Sequence, residues 1–168
     1  MNLEESIATA LQYENRVAVV YEQAAGAVAD EAGKRVLSAL AREERFHVKY
    51  LELRLEEWRT IGKVVPAKLD TAVPPKDVIA AGVAKLVKKA APAGRDSDLQ
   101  ALKKALEVEN ETTAFYRKMV AELPEEGKAL YRRFVEIEEG HGLIVQAEID
   151  ALTQTGFWFE FRSTDLED

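Results

Sequence analysis

The chain contains no cysteine. That absence excludes disulfides, thiol catalysis, zinc ribbons, iron–sulfur clusters and rubredoxin-type iron sites within these 168 residues. Histidine is nearly absent too: there are only 2, so chemistry that needs imidazole must use His47, His141 or both. Positive charge is in deficit, with 23 Lys and Arg against 30 Asp and Glu and a formal net charge of −7. Nucleic acid and anionic membrane surfaces would repel such a chain, and neither is expected as a partner. No apolar run is long enough to span a bilayer. The opening Met1-Asn2-Leu3-Glu4-Glu5 also lacks the basic and apolar regions of a signal peptide. A cytoplasmic location is the resulting expectation.

What is present reads as one soluble, all-α domain. Hydrophobic residues make up 47% and charged residues 32%, ordinary values for a chain long enough to bury a sizeable core. Asn2 followed by Glu5 makes a capping-box start to a first helix, with Ile7, Leu11, Glu14, Val17, Tyr21 and Ala25 as its inward stripe. Asp30 can cap a second helix over residues 31–60, stopped by Gly62, with Leu37, Leu40, Glu44, His47, Leu51, Leu55 and Trp58 inward. Four of the five prolines then fall between positions 66 and 92, too long and breaker-rich a stretch for a tight turn. It reads as a crossover holding one short helix over 77–90, with Val78, Ala81, Gly82, Leu86 and Ala90 on its packed side and Lys85, Lys88 and Lys89 solvated.

A third long helix is predicted from Ser97 or Asp98, facing inward with Leu99, Leu102, Leu106, Glu109, Thr113, Tyr116 and Val120. Pro124 suits the first position of a fourth, which runs to about Leu152 with Leu130, Phe134, Glu138, His141 and Val145 inward. The expected architecture is an up-down four-helix bundle over 1–155 with one long crossover between helices two and three. An aromatic tail over 156–168 packs on the bundle or on a partner subunit. Its Phe157, Trp158 and Phe159 point to a homodimer as the expected assembly.

Every one of these long helices carries polar residues in the middle of an apolar stripe. Glu44-Arg45-Phe46-His47 is echoed by Glu138-Glu139-Gly140-His141, so both histidines stand in the same Glu-x-x-His word. Residues three apart share a helix face, where both side chains can grip one ion. Glu14 and Glu109 precede these words by 30 and 29 residues, and each is followed at seven residues by a tyrosine, Tyr21 and Tyr116. Seven residues is two helical turns, about 10 Å along one face. The halves of the chain therefore repeat one design. Four buried carboxylates cannot all stay ionised and unpaired, and no inward Lys or Arg accompanies them. Two divalent cations match the inventory of Glu14, Glu44, His47, Glu109, Glu138 and His141. Oxygen-rich donors with one imidazole per ion and no sulfur suit iron or manganese better than zinc or copper. Glu43, Glu107, Glu111 and Glu139 flank these positions, and Asn15 and Asn110 are candidates to orient the imidazoles.

In these residues the chain resembles the rubrerythrin-like branch of the ferritin-like superfamily over all four long helices. The family's Glu-x(6)-Tyr word matches Glu14/Tyr21 and Glu109/Tyr116, and its Glu-x-x-His ligands match Glu44/His47 and Glu138/His141. The resemblance implies a ferritin-like bundle with a left-handed crossover, holding a non-haem centre of two iron ions. It implies reduction of hydrogen peroxide, or of dioxygen, or oxidation of Fe(II), with Tyr21 and Tyr116 assisting electron transfer at the reacting centre. Two features depart from the pattern. Thr112 stands where rubrerythrins carry an additional carboxylate that takes part in redox-linked ligand rearrangement. No rubredoxin-type site exists in a chain without cysteine, so a separate electron-donor protein is expected. A ferroxidase or iron-storage protein, a dimanganese catalase and a non-enzymatic helical metal-binding module are the alternatives.

Overall fold

Asn2 and Glu5 close a reciprocal cap, Glu5 N–H donating to Asn2 Oδ1 at 2.8 Å and Asn2 N–H to Glu5 Oε2 at 3.0 Å. This starts α1, Leu3–Ala27. Asp30 Oδ1 accepts from the N–H groups of Ala32 and Gly33 and starts α2, Glu31–Ile61, which ends at Gly62 with φ 68°. A short α3, Lys76–Val83, sits in the crossover, followed by α4, Asp96–Glu122, and α5, Glu125–Thr155. The computed structural model describes residues 1–65, 67–84 and 96–159, and among these the chain is all-helical.

α1 packs along α2, α4 along α5, and α1 against α4, while α3 rests on α5. Side chains of α2 and α5 meet in the middle, where Glu44 lies against His141. The apolar interior divides in two. One cluster gathers Val17, Tyr21, Leu37, Leu40 and Leu102; the other gathers Ile7, Leu51, Met119, Tyr131 and Phe134. The polar positions of the four stripes lie between them. No helix among the described residues is long and apolar enough to cross a membrane.

Three local expectations need correction. In α3 the buried residue is Ile79, and Val78 is 50% exposed, so the helix is turned by one residue from the predicted phase. Residues 85–90, including Leu86, Ala90 and the three lysines, lie outside the described residues. Pro124 precedes α5 as its cap rather than opening it, because its ψ of 165° is extended. α5 also continues to Thr155, three residues past Leu152. Its last turn is closed by Thr155 Oγ1 donating to Ala151 O at 2.8 Å and by Gly156 at φ 72°.

The tail folds back onto the bundle as far as Phe159; Glu160 and Phe161 lie outside the described residues. Trp158 is buried and its Nε1 donates to Asp98 Oδ2 at 3.1 Å. Its indole lies against Gly33, where an added Cβ would collide with the ring. Phe157 is exposed, so only one of the two leading aromatics is free for a partner. The next residue is clasped by a buried carboxylate, Phe159 N–H donating to Glu148 Oε2 at 2.7 Å.

Burial pushes the Glu148 carboxyl up to about 8, and Asp30 adds to the effect. A carboxyl whose folded value is raised gives full stability below its ordinary value of 4.5 and loses it progressively up to about pH 8. Glu148→Gln, which mimics the protonated acid, should melt with the wild type at pH 4 and above it at pH 9. The gain should be on the order of a few kcal/mol. Equal melting temperatures at pH 9 would show that Glu148 carries no such cost.

Candidate metal centre

Glu14 on α1, Glu44 and His47 on α2, Glu109 on α4, and Glu138 and His141 on α5 are all fully buried at the middle of the bundle. The helical period explains how. Three-residue spacing stacks each Glu over its His on one face, and the apolar residues above and below turn that face inward. The six residues form two groups able to hold a metal ion: Glu14, Glu44, His47 and Glu138 in one, Glu44, Glu109, Glu138 and His141 in the other. The ligand atoms of each group lie within 4.8 Å of one another.

Glu44 and Glu138 belong to both groups and divide their oxygens between them. Glu44 turns Oε2 toward His47 Nδ1 at 3.3 Å and Oε1 toward His141 Nδ1 at 2.6 Å. Glu138 places Oε1 3.3 Å from His47 Nδ1 and Oε2 3.6 Å from His141 Nδ1. Glu14 Oε2, at 3.2 Å from His47 Nδ1, and Glu109 Oε1, at 3.7 Å from His141 Nδ1, serve one side each. The imidazole rings lie 5.6 Å apart and nearly parallel.

These contacts are close but mostly not hydrogen bonds. Both oxygens of Glu44 and of Glu138, Oε2 of Glu109 and Nδ1 of His141 are buried without a hydrogen-bond partner. Buried polar atoms are rarely left so, and a cluster of them demands an explanation. Lone pairs that converge on shared points rather than on one another are what a cation requires. The donor set therefore fits two metal ions.

The electrostatics say the same. Burial, reinforced by Glu138 and Glu44, pushes the carboxyls of Glu14 and Glu109 well above the usual carboxylate range. Glu44 goes the other way: burial opposes ionisation, but His141 and His47 outweigh it and hold its carboxyl well below that range. Burial would lower both imidazoles, yet the carboxylates, Glu44 foremost, hold them well above the ordinary histidine value. Protons thus do the work of cations, and a metal would displace them.

The tyrosines cross between the halves. Tyr21 of α1 donates to Glu109 Oε1 of α4, and Tyr116 of α4 donates to Glu14 Oε1 of α1. Each hydroxyl holds a carboxylate that serves one side only, and burial foremost raises both phenols well above their ordinary value. Their surroundings differ. Tyr116 stacks on Phe134 at 4.8 Å and on Tyr131 at 5.4 Å between ring centroids, while Tyr21 sits in the cluster of Val17, Leu37 and Leu40.

Thr112 is fully buried and its Oγ1 donates to Val108 O at 2.8 Å, so this position supplies a backbone-bonded hydroxyl in place of a carboxylate. Asn15 does not orient an imidazole. It is exposed, donating to Leu11 O and accepting from Arg45 Nη1. Asn110 is exposed as well and lines a surface cleft of about 510 Å³ between α4 and α5, which reaches Glu138. The imidazole partner that sequence reasoning passed over is Glu43, whose Oε2 lies 2.9 Å from His141 Nε2. It was visible only as one of several flanking acids. Its helix phase, about 100° from Glu44, places it beside the inward stripe rather than on it.

No family model, curated protein or solved structure matches this chain.

Proposed function

We propose that the chain is a rubrerythrin-like oxidoreductase of ferritin-like fold. Its two iron ions would reduce hydrogen peroxide, or dioxygen, with electrons from a separate donor protein. One observation carries the reading: two buried groups joined by Glu44 and Glu138, each of which gives one oxygen to either side. Carboxylate and single-imidazole donors without sulfur favour iron, with manganese as the substitute. Bound ferrous iron would supply one electron per ion, which together with two protons would convert one peroxide to two waters.

The protein's own part is geometric and electrostatic. Glu14 and His47 would hold one ion and Glu109 and His141 the other, with Glu44 and Glu138 offering one oxygen to each group. Tyr21 and Tyr116 fix the carboxylates of Glu109 and Glu14 and can pass a proton to or from those oxygens. The apolar clusters above and below exclude bulk water. Glu138 lines the cleft between α4 and α5 while its carboxylate is fully buried, so an oxidant entering there would need neighbouring side chains to move before it reached the shared oxygens.

A ferroxidase is the second reading, and Thr112 favours it. With that hydroxyl tied to the backbone, the ligand set is symmetric and lacks the additional carboxylate of rubrerythrins. Anaerobic loading with Fe(II), then mixing with peroxide or with dioxygen, separates the readings. Two irons per chain oxidised at least tenfold faster by peroxide is the expected result. Faster oxidation by dioxygen, with iron taken up beyond two per chain, would replace the peroxidase by the ferroxidase. Sedimentation of the same samples would test the homodimer and reveal any hollow assembly.

A further inference from the structure

We infer that Glu43 is a positioning residue that ties His141 to the crossover, so that the two metal positions are unequal and metal binding tightens the crossover. This rests on the metal-centre reading above. The side chain has one carboxylate and three partners. Oε2 meets His141 Nε2 at 2.9 Å and accepts from Thr71 Oγ1 at 2.7 Å, while Oε1 accepts from the Ala72 N–H. Thr71 Oγ1 in turn accepts from Val73 N–H at 3.0 Å. Residues 71–73 are thereby pinned against the metal-binding turn of α5.

Gly140 permits that approach. It stands between Glu138 and His141, and a Cβ there would lie 2.7 Å from Val73 Cγ1. The glycine in the second Glu-x-x-His word is therefore where the crossover comes down on the bundle. In the first word the corresponding residue is Phe46, a large side chain that is 50% exposed.

The two imidazoles differ accordingly. Both turn Nδ1 toward the shared carboxylates. His141 has its other nitrogen held by Glu43, whereas His47 Nε2 is buried without a hydrogen-bond partner. An ionised carboxylate accepts the Nε2 proton, fixes the ring and leaves Nδ1 as a better donor to metal. Losing such an outer partner typically costs about 10–100-fold in metal affinity. Because the same carboxylate holds Thr71 and Ala72, linkage works both ways: whatever steadies His141 steadies the crossover, and the reverse.

The test uses Mn(II) without oxidant, so that it does not depend on the redox reading. Free Mn(II) is followed by its paramagnetic resonance signal, and amide hydrogen exchange is followed at Ala72. Wild type should bind two ions in steps separated by roughly tenfold or more, and the first should slow exchange at Ala72. Glu43→Ala should lose the tighter step, leaving Ala72 exchange fast and insensitive to metal. Thr71→Val keeps the contact between Glu43 and His141, and should weaken the first step by a smaller factor. The link is overturned if Glu43→Ala binds both ions as wild type does. It is equally overturned if Mn(II) leaves the wild-type exchange at Ala72 unchanged. A wild type that binds neither Mn(II) nor Fe(II) would remove the metal centre itself, and this inference with it.

Discussion

Without metal, the chain should lose stability as pH rises from about 5 to 9, and saturating divalent metal should reverse that slope. Glu14 and Glu109 are held well above the usual carboxylate range, first by burial and then by Glu138 and Glu44. Their contribution is full below the unfolded value of 4.5 and declines as pH rises toward their folded values. His47 and His141 are raised against the pull of burial by the carboxylates around them. What they contribute is present below 6.5 and lost as pH rises through their folded values. Glu44 alone has the opposite sign, because its lowered carboxyl gives stability that is present above 4.5 and lost as pH falls through its folded value. All four raised groups therefore favour the acidic side of neutrality.

Metal changes the sign because it takes the place of their protons. Each proton released makes affinity rise by up to about tenfold per pH unit. At a free-metal concentration 100 times the dissociation constant, binding adds about 2.7 kcal/mol. In a chain of this size that is a melting temperature higher by roughly 5–10 °C. Thermal melts at pH 5, 7 and 9, with and without Mn(II) or anaerobic Fe(II), measure the effect directly. A metal-free slope that is flat or rises with pH would mean that the buried acids and imidazoles do not carry these protons.

The repeat made this centre legible. Glu14, Glu44, Glu109 and Glu138 interrupt apolar stripes at matching places in the two halves, and a period of 3.6 residues turns such interruptions into one buried layer. The caps were legible for the same local reason, since Asn2, Asp30 and Gly62 act within one turn of their own positions. Three other features depend on contacts from distant chain. α3 is only eight residues long, and Ile79 rather than Val78 is buried because α5 lies on that side; eight residues contain too few turns for the pattern to fix the phase. Glu43 needs the crossover above it and His141 beside it before it differs from any other surface acid. Asn15 illustrates the converse. It adjoins a ligand in sequence, but one step along a helix is about 100° of rotation, and that carries it out to Arg45. Asymmetry between the halves was hidden too, because Gly140 and Phe46 occupy equivalent places and only the packed chain shows which of them is covered.

The pair Glu14→Gln and Glu109→Gln should separate stability from metal binding most sharply. Each glutamine keeps an oxygen that can accept from Tyr116 or Tyr21, so the cross-links between α1 and α4 survive. Each also removes a carboxyl that is driven toward its neutral form by burial and by the charges of Glu138 and Glu44. The metal-free variant should therefore melt several degrees above the metal-free wild type at pH 8, and its loss of stability with rising pH should be shallower. Its metal affinity should fall by more than the about 10–100-fold that an outer partner commands, because an oxygen is lost from each position. Opposite changes in the two properties distinguish a functional layer from a structural one. Carboxylates retained for packing or for ion pairing would, when neutralised, lower both stability and metal retention or leave both alone. A metal-free variant less stable than wild type at pH 8 would show that Glu14 and Glu109 stabilise the bundle as ions, and the centre would have to be reread as a buried salt-bridge network between four helices.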